Sequence, residues 1–132
     1  MSYLQLIINP GSTSTKLALY DGAEKRLQSS IEHKPDQLLK FEKIGDQVPY
    51  RLGLIKEFLA QNNVRGEELS CVMGRGGLVF GLKMGGYAVN DELCEALVNH
   101  EYSQPHASNL GGLLAKAIAD EYGIPADIFP AV

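Results

Sequence analysis

The residues that most constrain this chain lie near its start, in "LQLIINPGSTSTKLALY", Leu4 to Tyr20. Two short β-rich apolar runs, Tyr3–Ile8 and Lys16–Tyr20, flank a loop whose last four residues, Ser12 to Thr15, all carry hydroxyls. Runs of this length and composition read as buried strands. Asn9, Pro10 and Gly11 break the first. Asp21 to Lys25, "DGAEK", is turn chemistry, so Arg26–Glu32 returns as a third strand and two hairpins open the fold.

Beyond a polar stretch, Lys34–Asp46, that favours no element, the chain alternates. Leu52, Ile55 and Leu59, with Leu54 and Phe58 beside them, give helical spacing across Gln47–Asn62. "LSCVMGRGG" is a short central strand running into a glycine-rich loop. Asn90 can cap a helix carrying Asp91 and Glu92 in its first turn, with Leu93, Leu97 and His100 along one face. A last helix places Leu110, Leu113, Leu114, Ala117, Ile118 and Tyr122 at 3.6-residue spacing, and Gly123 and Pro125 end it. Ala126–Phe129 is the final strand. Strands first, then helices and strands in turn, predict an α/β layer fold with a mixed sheet. Ligands of such sheets sit in loops beyond strand ends.

Composition narrows the partners. At 132 residues, 45% of them hydrophobic, the chain is expected to form one domain with a real core. A net charge of -4 argues against nucleic acid or an anionic membrane as a bulk electrostatic partner. No apolar run approaches the roughly 20 residues of a membrane helix, and "MSYLQLII" lacks the features of a signal peptide. Cys71 and Cys94 show neither metal spacing nor a disulfide framework, which makes a reducing cytoplasm the expected location. The apolar, strand-like ending "GIPADIFPAV" is unlike a frayed polar terminus and suggests one domain of a longer protein.

Three loops carry the chemistry. In "NPGSTSTK", Gly11 permits a tight turn, and amides, hydroxyls and the Lys16 ammonium converge as donors suited to an acceptor-rich phosphoryl group. The Walker A pattern requires a glycine directly before the lysine, where Thr15 stands, and no G-x-G-x-x-G fingerprint is present. The alternative is a polar hairpin whose hydroxyls cap their own backbone. In "MGRGGLVFGLKMGG", small neighbours leave the planar fork of Arg75 open to a carboxylate or phosphate. In "SQPHASNLGGLLA", His106 precedes a helix start with Ser108 as a plausible cap. The pattern by itself makes His106 a loop-ordering residue, with Gly111 and Gly112 allowing close helix packing. His33 and His100 read as ordinary surface or helix residues. Lys16, Arg75 and His106 are all donors, so a site built from them holds anions rather than a metal, which favours phosphoryl transfer.

"LIINPGSTSTK", "GRGGL" and "HASNLGGLLA", in this order and at these separations, closely resemble the N-terminal domain of the butyrate kinase and branched-chain fatty-acid kinase family, within the acetate kinase group of the sugar kinase and actin superfamily. The resemblance spans almost the whole chain. It implies an α/β, ribonuclease-H-like (actin-like ATPase) domain with a mixed five-stranded sheet and flanking helices. It also implies reversible phosphoryl transfer between ATP and a short-chain carboxylate, giving an acyl phosphate, with Mg2+. By resemblance Asn9, Ser12, Ser14 and Lys16 contact the nucleotide phosphates. Arg75 holds the carboxylate or the transferring phosphoryl group, His106 donates to that group, and Asn109 lies beside it. The family builds its site between two such domains and commonly dimerises through the second, so residues 1–132 alone are expected to be inactive. One residue departs from the pattern: Phe129 stands where the family carries an acid, with Asp127 two residues back. That departure leaves open a binding or regulatory protein on the same scaffold. Val79 and Phe80 could line an acyl pocket or belong to the core.

Overall fold

The computed structural model describes residues 3–75, 87, 88, 90, 93, 94 and 109–129. Six strands form one sheet in the order β3-β2-β1-β4-β6-β5. The opening hairpins are β1 (Leu4–Pro10), β2 (Ser14–Asp21) and β3 (Glu24–Glu32), paired antiparallel. A short helix α1 (Pro35–Leu38) and a 3-10 turn (Ile44–Gln47) occupy the stretch that the sequence left unassigned. Helix α2 (Val48–Gln61) then crosses over to β4 (Leu69–Arg75), which lies parallel to β1. Helix α3 (Leu110–Tyr122) leads into β6 (Ala126–Phe129), parallel to β4. These five strands are the ones expected, and a two-residue strand β5 (Tyr87–Ala88) adds to the far edge.

One expectation fails locally. Asn9 and Pro10 do not break β1 but continue it, with Asn9 paired to Lys16 and Pro10 to Thr15. Proline's fixed φ suits an extended chain, and its missing N–H matters only where a ladder bond is needed. Pairing with β4 ends at Ile8–Gly74, so Pro10 forfeits no bond on that side.

Strand alternation sends Leu6 and Ile8 of β1 and Leu17 and Leu19 of β2 to one face. There they meet Ile55, Phe58 and Leu59 of α2 and Leu110, Leu114 and Ile118 of α3 in a single buried cluster. At about 25 cal/mol per Å² of apolar surface, burial of these side chains is the main favourable term of folding. Helix α3 ends as its sequence requires: Gly123 takes the left-handed conformation (φ 66°, ψ 35°) and donates its N–H to the Ala119 carbonyl. The second helix start is also partly visible, because Asn90 Oδ1 accepts the Leu93 N–H at 2.8 Å. Among the described residues no helix is long and apolar enough to cross a membrane.

Candidate active site

With both long helices on one face of the sheet, every alternate strand residue is turned the other way. In β1 that residue is Asn9 and in β2 it is Lys16, both exposed and directly opposite each other across the strand pair. In β4 it is Arg75, exposed at the strand's end, one step past the Ile8–Gly74 pair. The three line one groove of about 200 Å³ whose floor is Ile7 and Ala18. Tyr20, Lys25 and Gln28 form its other end, where Lys25 Nζ donates to Gln28 Oε1 at 2.9 Å. Among the described residues the lining carries three cations and no carboxylate, so a guest gathered there would be an anion.

The end of β4 is held by the head of α3. A Cβ on Gly74 would fall on the Gly111 carbonyl, and one on Gly111 would lie 2.6 Å from the Arg75 carbonyl oxygen. Only glycines allow these backbones to touch, so the close packing inferred for Gly111 is present and it places Arg75. Asn109, 2% exposed, sits at the first turn of the same helix. His106, Ser108, Val79, Phe80 and His100 lie outside the described residues.

Behind the hydroxyl loop is a feature that the sequence reading missed. Gly11 N–H donates to the Ser14 carbonyl at 2.7 Å and closes the turn, leaving Ser12 exposed and Ser14 half-buried. Thr15 points inward and is completely buried. Arg51 of α2, also at 0% exposure, donates from Nη1 to the Ser14 carbonyl (3.0 Å) and to Thr15 Oγ1 (3.1 Å). Its Nε and Nη2 donate to Gln47 Oε1 at 3.0 and 2.9 Å. Thr15 Oγ1 in turn lies 2.8 Å from His33 Nε2.

His33 is therefore not the surface residue expected. It is 4% exposed, packs against Tyr50 with ring centroids 5.3 Å apart, and its backbone N–H donates to the Thr13 carbonyl at 2.8 Å. Burial, and then the Arg51 charge, lower its pKa below the ordinary imidazole value. Burial likewise lowers the pKa of Arg51, which stays cationic because guanidinium starts so high. A signal was present in the sequence: Arg51 precedes Ile55, Phe58 and Leu59 by four, seven and eight residues, which puts a cation on the apolar stripe of α2.

At the sheet's other side, β4–β6 register puts Phe129 opposite Arg75 and Asp127 opposite Met73. Among the described residues no group of three or more His, Cys, Asp or Glu could hold a metal ion. The donor set suits phosphate oxygens rather than a cation.

This architecture is that of the acetate kinases, an actin-like ATPase fold. The chain superposes on the acetate kinase of Porphyromonas gingivalis with a TM-score of 0.59, over 96% of its own length and 37% of that chain, at 14% identity. In sequence it is 42% identical over all 132 residues to a probable butyrate kinase of Clostridium botulinum (strain Eklund 17B / Type B). It is 41% identical over 130 residues to butyrate kinase 1 of Clostridium acetobutylicum. Over its whole length the chain is thus similar in sequence to the butyrate kinases, and its fold is that of the related acetate kinase structure. It spans about a third of the length of these curated relatives, 37% and 36%. No protein-family model matches it.

Proposed function

We propose that the protein carrying this domain is a carboxylate kinase, moving a phosphoryl group reversibly between ATP and a short-chain fatty acid of the butyrate class. The observation that carries this reading is the shared groove: Asn9, Lys16 and Arg75 line one cavity with no acid among its described residues, in a chain whose relatives are named butyrate kinases. Phosphoryl transfer asks little covalent chemistry of a protein and depends on positioning and charge stabilisation. Lys16, Asn9, Ser12 and Ser14 hold phosphate oxygens in this reading, and the fork of Arg75 takes the carboxylate or the group in flight. His106 adds a donor to that group, and Asn109, at the head of α3, contributes to the same site.

The donors fit the phosphates of ATP. Magnesium supplies charge neutralisation when bound, but no described residue is assigned to it. A second domain completes the nucleotide site and carries the dimer contact, and the protein works in the cytoplasm. The decisive experiment traps the acyl phosphate as hydroxamate from full-length protein with ATP, Mg2+ and butyrate. Product is expected. None across several short-chain acids would refute the kinase reading.

Phe129 favours a second reading. The register sets it opposite Arg75, where the family's acid would stand, and a protein without that acid could hold an acyl phosphate or carboxylate without transferring it. Tight binding of butyryl phosphate with no hydroxamate formed would support this reading over the first.

A further inference from the structure

Arg51 is a wholly buried cation with no acid beside it among the described residues: each of its three acceptors there is neutral, and two of them belong to Ser14 and Thr15. Burying a charge is costly, and replacing such a group by an apolar side chain is often neutral or stabilising. Its placement therefore calls for a reason other than core stability. The reason lies in what it holds. The Arg51 side chain holds the Ser14 carbonyl, the Arg51 and His33 side chains share the Thr15 hydroxyl, and the backbone N–H of His33 holds the Thr13 carbonyl, all behind the loop whose outward side carries Ser12, Ser14 and Lys16.

We propose that Arg51, Thr15 and His33 are positioning residues that hold the Ser12–Lys16 hairpin in its phosphate-receiving shape through one directional chain of hydrogen bonds. The inference rests on the phosphate-binding reading of that hairpin. The direction follows from the inventory of donors. Arg51 fills one lone pair of Thr15 Oγ1, and the buried hydroxyl proton still needs an acceptor. His33 Nε2 at 2.8 Å is that acceptor when the ring is neutral and its proton sits on Nδ1, the atom without a partner. A protonated His33 has no lone pair to offer. It would donate Nε2–H to the second lone pair of Oγ1 and strand the hydroxyl proton. The groups facing His33 are Thr15 of β2, Arg51 and Tyr50 of α2 and the neighbouring Glu32 of β3, so one acid opposes one fixed cation there. The chain of bonds is thus intact above the range in which His33 protonates and broken below it.

The test uses Thr15→Val, Thr15→Ser and His33→Gln, with two readouts: calorimetric affinity for ATP and amide hydrogen exchange across residues 12–16. Thr15→Val fills the same space without the hydroxyl, and about a tenfold loss of ATP affinity with faster loop exchange is expected. Thr15→Ser restores both to within about twofold, although it loses a buried methyl, an outcome that a packing role alone would reverse. His33→Gln keeps an acceptor near the place of Nε2 and does not titrate. It should bind ATP at pH 7 as wild type does, yet lack the extra acid-side loss that wild type shows. Equal affinity and equal loop exchange in wild type and Thr15→Val would overturn the inference. A wild type that binds no ATP would overturn the phosphate reading instead, and the loop exchange of Thr15→Val against wild type would then decide the positioning claim by itself.

Discussion

Gly74 of β4 and Gly111 of α3 meet backbone to backbone, with no room for a Cβ on either. This contact sets the end of β4, and with it Arg75, against the first turn of the helix that carries Asn109. The neighbours in the way are carbonyls, which cannot rotate aside as a flexible side chain would. Gly74→Ala and Gly111→Ala are each expected to destabilise the domain by about 3 kcal/mol, the upper range for overpacking. Gly53, on the exposed side of α2 with nothing within 4 Å of its would-be Cβ, is the control. Gly53→Ala should stabilise by about 1 kcal/mol through helix propensity. Urea melts of the three variants check all of this.

Lys16 and Arg75 are exposed and neither supports the core, so removing them should separate function from stability. Lys16→Ala and Arg75→Ala are expected to lower turnover of the full-length protein by on the order of 100-fold. Urea midpoints should stay unchanged. Arg75→Lys keeps the charge but loses the planar fork, so most of the loss should remain.

Arg51→Ala removes four donated hydrogen bonds and leaves a cavity between α2 and β2. The acceptors left behind lose a partner, Thr15 Oγ1 at a fully buried position and Gln47 Oε1 and the Ser14 carbonyl at half-buried ones. A loss of about 3 kcal/mol is expected, measurable as a lowered urea midpoint.

The lowered pKa of His33 gives the domain an acid-side sensitivity. A base with a depressed folded-state pKa binds fewer protons folded than unfolded, so stability rises with pH across that window. The contribution is complete above the unfolded imidazole value of about 6.5 and is lost as pH falls from there toward the folded value. Stability curves of wild type and His33→Gln should coincide at pH 8 and separate as pH falls below about 6.5, with wild type losing more.

The register that sets Phe129 opposite Arg75 makes Phe129→Asp informative. If the missing acid limits the reaction, this change should raise acyl phosphate formation by full-length protein several-fold, by hydroxamate assay. Unchanged or abolished turnover would show that position 129 does not limit it.

Much of this arrangement was legible in the sequence because local rules and packing agreed. Ile and Leu at alternate positions gave the strands, the 3.6-residue spacing of Leu110, Leu114 and Ile118 gave α3, and Gly123 gave its end. Strand alternation brings Asn9, Lys16 and Arg75 to one groove, but the hydroxyls of Ser12 and Ser14 do not line it and that of Thr15 points into the buried layer. Pro10 misled because proline marks a break only where its N–H is needed, a fact of the neighbouring strand's length. Arg51, on which the sequence places no expectation, and His33, expected at the surface, escape for a related reason. A charge is read as solvated until something on another element neutralises its burial, and here the partners are a threonine on β2 and a glutamine one turn away.

The central claim is that Asn9, Lys16 and Arg75 grip one small anion together, and a double-mutant cycle on butyryl phosphate binding tests it most directly. Calorimetry on wild type, Lys16→Ala, Arg75→Ala and the double variant should show each single change weakening binding by about tenfold or more. The double variant should lose less than the product of the two, because both residues act on the same guest. Losses that simply multiply, or a single variant that binds as wild type does, would contradict the account.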